Sequence, residues 1–228
     1  MTALLQLAAA LIAFSLPLAL YASAISRSPT LTVIAIAAAA FWLLSVLAAS
    51  LAWAVVGSIG PSLIIAACLQ EGARAAFVLL YRALERSIAS ARGSDRQGQS
   101  PHLPLDDASS SVAAGFGFGF FHALIMCGGA IAASGGEATR YEESCPNVPL
   151  VLVSAYFALG FFVLDLLFTV VAFHAERRKD RLAVAFVLCF HGAAAMATLF
   201  HCSVSVPLLT TVVASALFAG KTARAATA

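Results

Sequence analysis

The feature that most constrains this chain is the length of its apolar runs. From Leu31 to Val56 there is no charged side chain. A helix crosses a bilayer core with about 20 apolar residues. Lipid offers no hydrogen bonds, so a spanning backbone must be a helix or a closed barrel. Barrel strands are short and alternate apolar with polar positions. Residues 31–56 do neither, so the run is read as a spanning helix. Composition agrees, with 61% hydrophobic and 11% charged residues and a mean hydropathy of +0.95. A soluble domain carries about 25% charged residues, so the water-soluble globular class is excluded.

The same reading along the chain predicts an all-α polytopic membrane protein with seven transmembrane helices, at about 3–25, 31–56, 62–84, 111–134, 148–174, 182–202 and 204–219. The first run has no basic segment before it and is too long for a signal peptide, so it is read as a retained helix. Pro207 fits the first turn of the seventh. Residues 1–228 form a single membrane domain without internal repeats. A segment at about 85–110, rich in Ser, Gly, Pro, Arg and Asp, reads as a loop. A second loop, at about 135–147, contains Glu137, Glu142 and Glu143.

Basic residues set the orientation. With seven spans, Arg27, Arg82, Arg86, Arg92, Arg96, Arg177, Arg178, Lys179, Arg181, Lys221 and Arg224 share one side, and Arg140 alone takes the other. The N-terminus is therefore expected to be lumenal or extracellular and the C-terminus cytosolic. The 85–110 loop is then cytosolic and the 135–147 loop lumenal.

Six polar side chains fall near the predicted midplane: Gln70, Glu71 and Arg74 in the third helix, His122 in the fourth, Asp165 in the fifth and His191 in the sixth. A charge at the centre of a span costs roughly 2.5–3.5 kcal/mol on the insertion scale, so such residues face the bundle interior and pair. Glu71 and Arg74 are three apart and meet on one helical face. Asp165 has no obvious local partner, and it is either protonated or paired with His191 or His122. The cluster reads as structural glue or as a catalytic or ion-translocating site. The mutual neutralisation of Glu71 and Arg74 weighs toward glue.

Gly115, Gly119 and Ala123 form a GxxxGxxxA face that lets helix backbones approach closely. It serves packing within the chain or a partner helix equally well. Cys145 and Cys202 fall on the lumenal side, where an oxidising compartment permits a bridge. The helix-edge position of Cys202 weighs toward two free thiols. No cysteines stand at CxxC spacing, so no metal and no cofactor is expected.

Taken in order, several motifs resemble the anterior-pharynx-defective (Aph) family. They are residues 11–21 in the first helix, Phe41 to Ser45 and Ser50 to Trp53 in the second, Gln70, Glu71 and Arg74 in the third, Gly115, Gly117 and Gly119 in the fourth, and Phe190 with His191 in the sixth. The resemblance covers roughly residues 3–200. Two positions depart from the family pattern. Ala123 replaces a third glycine, and Asp165 replaces a histidine, so that the family's histidine pair becomes an Asp165–His191 pair. The resemblance implies a non-catalytic scaffold of γ-secretase. Its partners would be presenilin, nicastrin and the presenilin enhancer subunit, in endoplasmic reticulum, Golgi and endosomal or plasma membranes, with no nucleic-acid partner. The residues agree on catalysis. An aspartyl protease needs paired carboxylates sharing a proton, and Asp165 is the one aspartate inside a predicted helix.

Two other readings compete. Glu71, Arg74, Asp165, His122 and His191 could form an intramembrane hydrolase site of the CAAX-type glutamate/metal kind. Gln70 stands where the first glutamate of that motif belongs, which removes a base or ligand. A receptor or transporter also fits seven spans, but no acidic-Arg-aromatic triplet, NPxxY-like end or broken-helix repeat is present.

Overall fold

The computed structural model describes residues 2–93, 107–133, 145–200, 204 and 206–214. Helix is the regular structure throughout them. The elements are α1 (Thr2–Leu20), α2 (Pro29–Val56), α3 (Ile59–Gly93), α4 (Asp107–Ala123), α5 (Gly129–Ala133), α6 (Leu150–Arg178) and α7 (Arg181–Ala197). Residues 206–214 are helical too. Two π-helical turns lengthen these rods: Tyr21–Ile25 continues α1, and Leu124–Gly128 joins α4 to α5. Five rods are thereby long and apolar enough to cross a membrane, namely Ala3–Ile25, Pro29–Val56, Ile59–Ile88, Asp107–Ala133 and Leu150–Arg178. At 17 residues α7 is shorter, about 25 Å long at 1.5 Å per residue.

The boundaries differ from expectation on the charged side. The segment read as a loop from residue 85 is helical to Gly93, and α4 opens at Asp107 rather than at 111. The polar composition misled because these side chains support the helix locally. Arg82 Nη1 donates to Glu85 Oε2, three residues on, at 2.9 Å. The hydroxyls of Ser87 and Ser90 return to the carbonyls of Ala83 and Arg86. Arg140, Glu137, Glu142 and Glu143 lie outside the described residues.

Two tight corners fix how the rods run. Gly57, at φ +64°, donates its N–H to the Trp53 carbonyl at 2.9 Å and closes α2. Glycine reaches that left-handed backbone without the side-chain clash other residues meet. Lys179, at φ +55°, closes α6. The next residue, Asp180, caps α7 by accepting from the N–H groups of Leu182 and Ala183 at 3.0 and 3.1 Å, so α6 and α7 form an antiparallel hairpin.

The bundle is assembled around α4 and α6. α4 lies between α2 and α6, α1 covers α6, and α3 bridges α2 and α7. One apolar core joins α1, α2, α3, α4 and α6 around Trp42, Phe118, Phe162 and Phe173. A second joins α6 and α7 to residues 206–214 through Phe161, Phe168, Val187 and Leu209. Outward-facing leucines such as Leu11, Leu47 and Leu51 are exposed, as lipid-facing positions are in a spanning helix.

Candidate functional site

The site grows from one residue, Arg74 of α3, which is 0% exposed. A buried guanidinium must place five N–H donors, and all five are used. Nε and Nη2 form a fork on Glu71, at 3.0 Å to Oε2 and 3.1 Å to Oε1. Nη2 also donates to Asp165 Oδ1 at 2.6 Å, and Nη1 donates to the Asp165 carbonyl at 2.9 Å. The fifth bond goes from Nη1 to the Thr169 hydroxyl, which itself donates to the Asp165 carbonyl at 2.7 Å. The ring of Phe118 lies beneath the guanidinium, 4.7 Å away.

Each carboxylate then reaches an imidazole on another helix. Asp165 Oδ2 stands 2.9 Å from His122 Nδ1, and Glu71 Oε1 stands 2.5 Å from His191 Nδ1. An ionised carboxylate only accepts, so a hydrogen bond to it takes the proton of the imidazole Nδ1. The result is a chain His122–Asp165–Arg74–Glu71–His191 that links α4, α6, α3 and α7. Aromatic rings enclose its ends. His122 lies between Trp42 and Phe161, with centroids 5.2 and 4.7 Å away. Phe161 also contacts His191, at 6.3 Å.

Five of the six polar residues singled out in the sequence therefore meet. Gln70 is buried, but among the described residues no hydrogen bond ties it to this chain. Asp165 does not pair with His191, as the departure from the family pattern led one to expect. It takes His122 instead, while His191 lies across α7 facing α3 and finds Glu71. Sequence reasoning missed Thr169 and the aromatic walls. Thr169 carried a faint signal, because it lies one helical turn beyond Asp165 on the same face.

The small residues of α4 are occupied within the chain. A Cβ at Gly115 would stand 2.9 Å from the Leu166 Cα, and one at Gly119 would stand 2.9 Å from the Phe162 carbonyl, both on α6. Gly117 faces the other way, where a Cβ would overlap the Ala35 carbonyl of α2. Ala123 is buried in the same core. Thus the GxxxG face meets this chain's own α6. Cys145 is disulfide-bonded rather than a free thiol, and Cys202 lies outside the described residues. Cys68, Cys127 and Cys189 are free.

Chemically, this arrangement is a brace. Its two carboxylates both accept from the one guanidinium. Breaking a buried pair by removing one partner costs about 3–5 kcal/mol, because the remaining charge is left uncompensated. Among the described residues, no three His, Cys, Asp or Glu side chains gather as metal ligands.

Comparison with known proteins brings the geometry to a family. The family model described as Aph-1 protein matches residues 4–226. A protein of Arabidopsis thaliana named gamma-secretase subunit APH1-like is 30% identical over 213 residues, which cover 88% of this chain and 84% of that protein. Gamma-secretase subunit Aph-1 of Drosophila melanogaster is 26% identical over 193 residues, covering 83% of this chain and 78% of that protein.

Proposed function

The chain belongs to the Aph-1 family, and on that premise we propose that it is a non-catalytic scaffold subunit of a γ-secretase-type intramembrane aspartyl protease. In this role it holds presenilin and nicastrin, with the presenilin enhancer subunit completing the assembly. It crosses the membrane seven times, with the N-terminus lumenal and the C-terminus cytosolic, in endoplasmic reticulum, Golgi and endosomal or plasma membranes. The relatives support subunit membership, since both carry that name and match over most of their length.

The observation that carries the non-catalytic part is the place of Arg74 between Glu71 and Asp165. Intramembrane aspartyl proteolysis needs two carboxylates close enough to share one proton. Here one fully bonded guanidinium engages both, and each is further engaged by an imidazole. The buried chain then serves to lock four helices into the shape that the partners recognise.

A mild-detergent pull-down of the tagged chain from its native cells, read by mass spectrometry, tests the proposal. Presenilin, nicastrin and the enhancer subunit recovered in fixed ratio are the expected result. The chain recovered alone in good yield, or cleaving a peptide when purified, overturns it.

A further inference from the structure

A groove of about 660 Å³ opens between α3 and α7 over the last turns of α6. Gly72, Ala75 and Leu79 line one wall, Val184 and Leu188 the other, and Ala172 lies at its base. Along α3 it runs from Cys68 to Leu79, 79 − 68 = 11 steps, or about 16 Å at 1.5 Å per residue. That is about half of a ~30 Å hydrocarbon core, the depth of one leaflet. At one end the groove meets Lys179, Asp180 and Arg181 at the α6–α7 turn, where the Asp180 carboxylate is taken up by the N–H groups of Leu182 and Ala183. There it adjoins a second cleft of about 290 Å³ that shares Glu176 and Lys179 and is lined by Arg82, Arg86 and Arg177. Some of these cations are engaged, Arg82 by Glu85 and Asp107, Arg177 by Asp107 and Lys179 by Glu176. Among the described residues Arg86 and Arg181 have no carboxylate partner.

We propose that these two joined clefts bind one anionic glycerophospholipid, with an acyl chain in the α3–α7 groove and the phosphate among the arginines at the α6–α7 turn. The chemistry selects this occupant over an extended polypeptide. An extended peptide would carry unpaired N–H and carbonyl groups into hydrocarbon, and the five donors of Arg74, the cation inside the groove, are already used. An acyl chain needs no hydrogen bond. A basic pocket between spanning helices at the cytoplasmic face is the setting in which anionic headgroups are held. The inference rests on the chain spanning a bilayer with the α6–α7 turn on the cytosolic side, and not on its belonging to a protease complex, so its failure leaves the scaffold reading standing.

The test uses the full chain in mild detergent, with 1-palmitoyl-2-oleoyl phosphatidylserine and the phosphatidylcholine of the same chains offered at equal concentration and retained lipid counted by native mass spectrometry. One lipid per chain is expected, with phosphatidylserine favoured about tenfold or more, because basic residues near the surface attract anionic headgroups. In Gly72→Phe the new side chain starts from open space, with nothing within 4 Å of its Cβ. The melting temperature should hold while retained lipid falls at least tenfold, a drop that a tightly bound lipid in this groove requires. The double variant Arg86→Gln/Arg181→Gln should keep one lipid but lose the headgroup preference. Wild-type lipid retention in Gly72→Phe, or a variable lipid number without preference in the unaltered chain, overturns the site. In the intact native assembly, a phosphatidylserine with a photoreactive tail should label residues 68–79 and 184–188. A polypeptide cross-linked there in its place overturns the proposal in favour of a protein occupant.

Discussion

A guanidinium with five donors in a fixed plane can be buried only where five acceptors converge, and Arg74 sits at such a point. Two of its acceptors belong to its own helix and three to α6, so the residue ties α3 to α6 in a single register. Replacement by leucine leaves Glu71 and Asp165 buried against each other without a cation. The expected loss is about 3–5 kcal/mol, read as a collapse of the monodisperse fraction in fluorescence-detected size-exclusion chromatography. Thr169→Val keeps shape and removes one acceptor, so a smaller loss is expected, about 1–3 kcal/mol for one unpaired buried donor, seen as a lower melting temperature in the same detergent. Equal melting of Thr169→Val and the unaltered chain would remove the hydroxyl from the brace. At this scale the sequence was informative about which residues are buried together, because a charge in a 20-residue apolar run has to find a partner. It named the Glu71–Arg74 pair but left the partner of Asp165 open. Asp165 can reach His122 or His191 depending on the rotation of α4 and α7, which tertiary packing decides and no local pattern encodes.

Elements were legible where apolarity or a breaker spoke plainly. The rods Pro29–Val56 and Leu150–Arg178 stand close to where hydropathy puts them, and Gly57 ends α2 as a left-handed cap. The C-terminal end of α3 differs from the loop that its Ser and Arg content predicts, because Arg82 and Glu85, three apart, pair on one helical face. The π-helical turns had no sequence signature at all. The glycines of α4 make a sharp comparison at this scale. Gly117→Ala places a methyl group against the Ala35 carbonyl, a backbone atom that cannot swing aside. Overpacking of that kind costs about 1–3 kcal/mol. Gly60→Ala, with nothing within 4 Å of the new Cβ, should instead raise helix stability by up to about 1 kcal/mol. Melting temperatures measured side by side should move in opposite directions. A shared direction would mean that helix propensity, not close approach of α2 and α4, governs this face.

Across the described residues, the small-residue faces of α4 and the polar chain are occupied, while the α3–α7 groove stays open. The GxxxG face is covered by α6, the polar chain closes on itself through four helices, and what remains for partners is the outward apolar surface and the loops. This changes what a glycine variant can report. Gly119→Leu drives a branched side chain into the Phe162 backbone, so its first effect falls on the fold of this chain, and any loss of assembly follows from that. The expectation is that Gly119→Leu lowers the monodisperse yield of the chain equally in cells that make the partner subunits and in cells that lack them. An outward variant such as Leu47→Asn, on the exposed side of α2, should do the reverse, leaving the yield of the isolated chain near normal while reducing co-purification. If Gly119→Leu were harmless without partners and harmful only with them, the α4 groove would have to open toward another subunit, and the close α4–α6 contact would be a feature of the unassembled chain alone.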